Sequence, residues 1–490
     1  MGTEAAAPSI APAVPVGAER QVRTLIALLL GAAFVMILNE TVMGVALPHI
    51  MDSFGVAAST AQWLTTVYLL TMAVVIPATG FVLDRFSTRL VFIGALTVFT
   101  VGTAVAAMAP VFGVLVAARV MQACGTAIIL PLLTTTIMTF VPEVRRGRTM
   151  GFVAIVISVA PAVGPAFSGL VLSFASWRFV YVAVLPFAIT ALVVGALYVR
   201  NLTEPRRSRF DRSSFALSIV AFGGLVYGLS SMGEAASSDA RIPPLVPVVL
   251  GLVGAALFVW RQLRLQRTGE AFLDLRPLKQ RSFVLCLVIL VLAMAALFGV
   301  LILLPIYMQE VLHLGAFAAG LMLLPGGLMM GLIAPAVGRV YDRHGPRPLV
   351  LPASITLMIS IVMLLFAGQN TEPWFIVFSH VILSLSLGML FTPCITFAMG
   401  ALEQDLYNHG SAILNALQQL AGAAGTALFI AVASAKEFGE LNAGAADDAA
   451  LASGFHAAVI CGVVVVAVMI AVSLFVKGRP APVPDDVFLH

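Results

Sequence analysis

An all-α integral membrane protein with fourteen transmembrane helices is predicted by three features of the chain: its composition, the length of its apolar runs and the placement of its basic residues. Of 490 residues, 60% are hydrophobic and 10% charged, with a mean hydropathy of +1.05. Soluble domains carry about 25% charged residues, so a water-soluble fold is excluded. Apolar runs of about 20 residues or more recur from Leu25 to Phe475. That is the length at which a helix rising 1.5 Å per residue crosses roughly 30 Å of hydrocarbon. The runs are continuously apolar rather than alternating, which fits helices that satisfy their own backbone and not a porin-like barrel.

In chain order the predicted spans are 24–47, 61–83, 90–109, 111–138, 149–174, 178–199, 213–233, 243–263, 282–307, 316–338, 349–367, 374–399, 410–435 and 453–476. The seventh and eighth have the weakest pattern. Gly223, Gly224 and Gly228 loosen the one, and Pro243, Pro244 and Pro247 crowd the start of the other; without both, twelve helices would remain. An even number of spans puts both termini on one side. Of 27 Lys and Arg, all but four fall in the loops and ends on that side; Arg178, Arg241 and Lys436 lie on the other, and Arg119 lies within a helix. The positive-inside rule makes the richer side, and both termini, cytoplasmic. Shifting the arrangement by one helix would destroy this asymmetry, so it checks the helix count as well. The net charge of +4 is therefore a topology signal directed at the lipid bilayer and not at nucleic acid. Cys124, Cys286, Cys394 and Cys461 all fall within predicted helices and read as small packing residues rather than a disulfide or zinc framework.

Residues 1–20, rich in Ala and Pro, read as a disordered cytoplasmic leader without signal-peptide form, and 478–490 as a short cytoplasmic tail. Between them lies an internal repeat. Gly80-Phe-Val-Leu-Asp84-Arg85-Phe-Ser-Thr-Arg89 follows the second span, and Gly338-Arg-Val-Tyr-Asp342-Arg343-His-Gly-Pro-Arg347 follows the tenth; both have the form Gly-x-x-x-Asp-Arg-x-x-x-Arg. The repetition predicts a six-helix bundle over 21–200, two inserted helices with basic linkers over 201–281, and a second six-helix bundle over 282–477.

These loops resemble the signature loop of the major facilitator superfamily, and further motifs extend the resemblance along the chain. Asn39-Glu40-Thr41-Val-Met-Gly-Val-Ala-Leu-Pro48 is similar to the first-helix motif of the fourteen-helix drug:proton antiporters, where an Asp commonly stands at the position of Asn39; Asn-Glu-Thr is similar to the branch of lincomycin and multidrug exporters. Arg119-Val-Met-Gln122-Ala-Cys-Gly125 resembles the fourth-helix motif. The stretch from Gly151 through Ala160-Pro161-Ala-Val-Gly164-Pro165 to Ser168-Gly169 resembles the fifth-helix motif that marks exporters, and His409-Gly410-Ser411 through Asn415, Gln418, Gln419, Gly422 and Gly425 resembles the thirteenth-helix pattern. The resemblance implies a proton-coupled exporter of lipophilic small molecules. It would rock two six-helix halves about a central cavity, without cofactor, as a monomer in the bacterial inner membrane.

Glu40 is the one acid placed inside the hydrocarbon, and an intramembrane acid is by default a functional candidate because burying a carboxylate costs several kcal/mol unless it is paired or neutralised. A carboxyl that can be charged or neutral is what a reversible proton carrier needs; the alternative is a carboxyl held permanently by hydrogen bonds. Arg119 is the sole intramembrane cation and lies at about the same depth, counted from Pro48 and from Val111 at 1.5 Å per residue. A cycling Glu40–Arg119 pair with Asn39 beside it is one reading; a static pair, or an Arg bonded to backbone carbonyls, is the other. Asp84, Arg85, Arg89, Asp342, Arg343 and Arg347 are expected to form a cytoplasmic gate in which each Asp meets the positive end of a helix, the alternative being charge that only sets topology. Gly151, Gly164, Pro165 and Gly169 are expected to let a neighbouring helix approach and rock. Tyr68, Gln122, Asn415, Gln418 and Gln419 are candidates for the substrate cavity, and Trp63 for an interfacial anchor. No Gly-x-x-x-x-Gly-Lys-Ser/Thr loop, metal cluster or nucleophile triad is present in the sequence, which argues against ATP-driven pumping and against an enzyme. Two other functions stay open: a dedicated exporter of one metabolite, antibiotic or lipid, and a non-transporting sensor.

Overall fold

The computed structural model describes residues 16–56, 58–201, 211–234, 243, 245–268, 271–368 and 371–477. Most of the leader and the whole tail read from the sequence, with Arg206, Arg207, Arg209 and Arg241, lie outside these residues. Among the described residues, fourteen helices are long and apolar enough to cross a membrane. The first span is α1 (Val16–Thr41), which passes through Val42 and continues as α2 (Met43–Phe54). Then follow α3 (Ala58–Arg85), α4 (Thr88–Ala107), α5 (Phe112–Phe140), α6 (Glu143–Leu172) and α7 (Trp177–Tyr198). The seventh span is α8 (Arg212–Ser218) joined through a π turn to α9 (Gly224–Glu234), and the eighth is α10 (Leu245–Leu265). The last six are α11 (Arg281–Ile306), α12 (Ala316–His344), α13 (Arg347–Leu364), α14 (Pro373–Gly400), α15 (Tyr407–Asn442) and α16 (Asp447–Ser473).

One boundary differs in kind from the sequence reading. Pro48 does not end the first span; it sits inside α2, which runs on to Phe54 and stops where Gly55 takes a left-handed conformation (φ 63°). Val42 keeps helical dihedrals and its N–H bonds to the Leu38 carbonyl (3.0 Å), so the helical path runs through it and Pro48 forfeits a backbone bond without ending that path. The glycines that weaken the seventh span in sequence have a packing role. A Cβ on Gly224 would lie 3.0 Å from the Cα of Gly251, one on Gly251 2.6 Å from the nitrogen of Leu225, and one on Gly254 2.9 Å from the nitrogen of Ala221. The inserted helices thus meet backbone to backbone, the packing that substitutes for hydrophobic drive inside lipid.

The helices α1 to α7 pack among themselves, as do α11 to α16, and the inserted pair lies against α3 and α15 at the seam. Across the seam α6 packs along α12, and α3 and α5 pack against α15. The outer face of α10 exposes Leu250, Leu252, Val253, Leu257 and Trp260, as a lipid-facing surface must.

Candidate functional site: a buried charge and two interhalf clasps

Within the first bundle the intramembrane charges are held differently from one another. Arg119 is 1% exposed. Its Nε donates to the carbonyl of Leu64 (3.2 Å), and its Nη1 donates to the carbonyl of Asn39 (3.4 Å) and to Oε1 of Gln122 (3.2 Å). Its guanidinium lies 4.2 Å from the centre of the Tyr68 ring, a cation–π contact strengthened by the absence of water. The network continues outward: Gln122 Nε2 donates to Thr103 Oγ1 (3.1 Å), Thr126 donates to the Gln122 carbonyl (3.0 Å), and the Tyr68 hydroxyl donates to Thr126 Oγ1 (2.8 Å). Arg119 therefore matches the backbone-bonded alternative of the sequence reading. Glu40 follows Asn39, whose carbonyl Arg119 holds, yet Glu40 and Arg119 form no ion pair among the described residues. Glu40 is only partly buried, whereas the Asn39 side chain is fully buried with neither its oxygen nor its nitrogen partnered among the described residues.

Of the cavity candidates, Tyr68 and Gln122 are drawn into the Arg119 network. Gln419 reaches Met72 Sδ of α3 (3.8 Å) across the seam, while Asn415 and Gln418 turn back to the carbonyls of Ser411 (2.9 Å) and Leu414 (3.1 Å) in their own helix. Trp63, read as an interfacial anchor, stacks on Tyr227 of α9 with ring centres 5.8 Å apart, so it also ties the inserted pair to α3. Among the exporter-motif glycines, a Cβ on Gly164 would fall 2.1 Å from Thr41 Oγ1, so this glycine admits α1 beside Glu40. Gly151 does the same for α12, where a Cβ would lie 2.7 Å from the Ala334 carbonyl oxygen; Gly169 faces open space. The Pro165 backbone lies within α6, and its side chain is outside the description.

The two repeated loops each close on the opposite half. In the second copy, Asp342 Oδ1 accepts from the Gly147 N–H (2.8 Å) and Oδ2 from the Arg148 N–H (2.9 Å), near the start of α6. A Cβ on Gly338 would lie 2.2 Å from the Gly147 carbonyl oxygen, so the motif glycine is what lets the helices meet. In the first copy, Asp84 Oδ2 accepts from His409 Nε2 (3.0 Å) and Oδ1 from the Asn408 amide, both at the start of α15. A Cβ on Gly80 would lie 2.8 Å from His409 Nδ1. Both acids thus sit at the positive end of a helix from the other half. The arginines divide. Arg89 donates to the Ala196 carbonyl at the end of α7 (2.8 Å), and Arg85 is likewise engaged. Arg343 and Arg347 are exposed with no partner among the described residues. The contribution of His409 and Asn408 was missed as a site in the sequence; the polar pair just before a small-residue helix was the available signal.

A polytopic helical protein whose halves each present a Gly-Asp loop to the opposite half has the build of a membrane transporter. The description "Major Facilitator Superfamily" matches residues 29–426. The chain belongs to that superfamily. It is 37% identical over 458 residues to the lincomycin resistance protein LmrB of Listeria monocytogenes, covering 92% of this chain and 96% of the relative. It is 29% identical over 395 residues to the multidrug resistance protein B homolog of Mycobacterium tuberculosis, covering 80% of this chain and 72% of the relative. The crystal structure of the human organic anion transporter MFSD10 superposes with a TM-score of 0.66 at 14% identity over 92% of this chain and 99% of that one, a likeness of fold. The protein is accordingly a multi-pass membrane transporter and not an enzyme.

Proposed function

We propose that this transporter is a drug:proton antiporter that exports lipophilic small molecules from the bacterial cytoplasm across the inner membrane by alternating access, as a monomer with both termini cytoplasmic. The resistance-protein names of its relatives support drug export. The observation that carries proton coupling is Glu40. It is a half-buried acid inside a membrane helix, near a fully buried Arg119 that spends its donors on backbone carbonyls and Gln122. An acid so placed can exchange a proton as its distance from the guanidinium changes. Residues 21–200 and 282–477 are the moving halves. With the repeated loops in the cytoplasm, the clasps at Asp84 and Asp342 belong to a state closed on that side. The fourteen-helix branch and the first relative's name make lincomycin the first compound to test, and protection against it alone would favour a dedicated exporter.

The test is drug-driven proton release in everted vesicles. Glu40→Gln is expected to abolish it, lowering coupled transport at least about tenfold, while leaving drug binding measurable. Retention of coupling by the variant defeats the assignment.

A further inference from the structure

We infer that residues 271–280, which lead from the inserted helices into the second half, together with Gln262 of α10, position His409 for its clasp on Asp84, so that the inserted pair sets how firmly the loop-side face closes. This rests on reading that face as a gate.

The first ground is the histidine's tautomer. Asp274 donates its backbone N–H to His409 Nδ1 (3.2 Å). With Nδ1 an acceptor, the ring proton of neutral histidine resides on Nε2, the atom 3.0 Å from Asp84 Oδ2. Without the Asp274 N–H, the ring is free to hold its proton on Nδ1, which turns a lone pair toward the carboxylate and breaks the clasp.

The second ground is how rigidly that N–H is held. Gln262, fully buried, accepts from the Leu273 N–H through Oε1 (3.1 Å) and donates through Nε2 to Ser214 Oγ (2.7 Å). Ser214 donates to Asp211, which also binds Arg261 through both oxygens (2.7 and 2.9 Å). On the other side the Asp274 carboxylate accepts from the N–H (2.9 Å) and Nε (2.7 Å) of Arg276 and from the Gln266 amide. Arg276 reaches Asp405, beside α15, at 3.2 Å. A buried glutamine that pairs its amide oxygen with one strand of loop and its nitrogen with another helix fixes both.

The third ground is that the segment touches both halves. Phe272 is fully buried and stacks on Phe81 of α3, one residue from Gly80, with ring centres 5.9 Å apart at 17°. Toward α15 the segment makes hydrogen bonds and an ion pair; toward α3 it makes a ring stack. Opening leaves it with α15 and slides it off Phe81, since a stack shears more easily than a network of directed bonds.

The experiment measures the width of the loop-side face. Spin labels at Phe86→Cys and Gln404→Cys, in protein whose four native cysteines are replaced, report the distance across the seam in lipid nanodiscs. His409→Ala is expected to raise the open population about tenfold and Asp274→Ala and Gln262→Ala about fivefold, with Asp274→Asn, which keeps an acceptor for the Arg276 N–H, returning most of the closed population. A shift in His409→Ala with none in Asp274→Ala or Gln262→Ala overturns the brace and leaves the gate standing. No shift in any of the three overturns the gate reading and the brace with it. If Asp274→Ala does not fold, Gln262→Ala, which leaves the clasp residues intact, decides between these outcomes.

Discussion

The two copies of the repeated loop solve one problem with different chemistry. Asp342 is met by backbone N–H groups of α6, with glycine against glycine where the helices touch. Asp84 is met by side chains, His409 and Asn408 of α15, and a glycine faces an imidazole. A backbone clasp has no rotamers and cannot be retuned without moving a helix. A side-chain clasp depends on whatever holds the side chains, and here that includes the linker of the inserted helices. The two copies therefore share a geometry but differ in what holds it, backbone in one and side chains backed by the linker in the other.

The sharpest way to break the comparison is steric. Gly338→Val should be the most damaging of these changes, because a Cβ there meets a carbonyl oxygen at 2.2 Å that no rotamer can move. Overpacking of this kind costs about 1–3 kcal/mol, and dye efflux should fall by about ten- to a hundredfold. Gly80→Ala, whose Cβ meets Nδ1 of the His409 side chain at 2.8 Å, should cost several times less and be partly restored by His409→Ala; equal losses for the two glycines would erase the distinction drawn above.

Next in size is the charge. Asp342→Asn leaves one acceptor for two N–H donors, and hydrogen bonds to a charged group are worth about 1.5–3 kcal/mol. Asp84→Asn keeps an acceptor for His409 Nε2 and faces the Asn408 amide, which can reverse its role, so its effect on efflux should be smaller. Efflux rates of the two variants at matched expression measure the difference, and a larger loss in Asp84→Asn would reverse the assignment.

The smallest effect belongs to the far end of the brace. Arg261, by hydrogen bonding to both oxygens of Asp211, holds its carboxyl down to about 2, below the ordinary value of 3.8. A lowered value means the bond stabilises the fold above about pH 4, and the contribution fades as pH falls through about 2. Asp211→Asn should thus lower the melting temperature by a few degrees at pH 7. The gap should close as the pH approaches 2; a gap independent of pH would show that packing, not charge, holds the base of α8.

Much of this is legible in the sequence. The fourteen spans, the repeated Gly-Asp loops and the isolated Glu40 and Arg119 each stand out, because hydrocarbon tolerates few charges and demands long apolar runs. Gly224 and Gly228 misled as weak points, since a glycine's packing value depends on the helix it faces; here Gly251 and Val248 of α10 face them. Pro48 misled because one missing N–H does not stop a helix whose neighbouring residues stay helical.

By itself, then, the sequence determined which segments cross the membrane, how often, and which residues must be accounted for as charges within it. These follow from one-dimensional rules of length and solvation. Only the tertiary structure decided the partners. Arg119 went to Leu64, Asn39, Gln122 and Tyr68 rather than to Glu40, Asp342 to a backbone and Asp84 to His409. Partnership joins residues as far apart as α3 and α15, and it is set by which helix faces pack together, a property of the three-dimensional arrangement that local sequence does not encode.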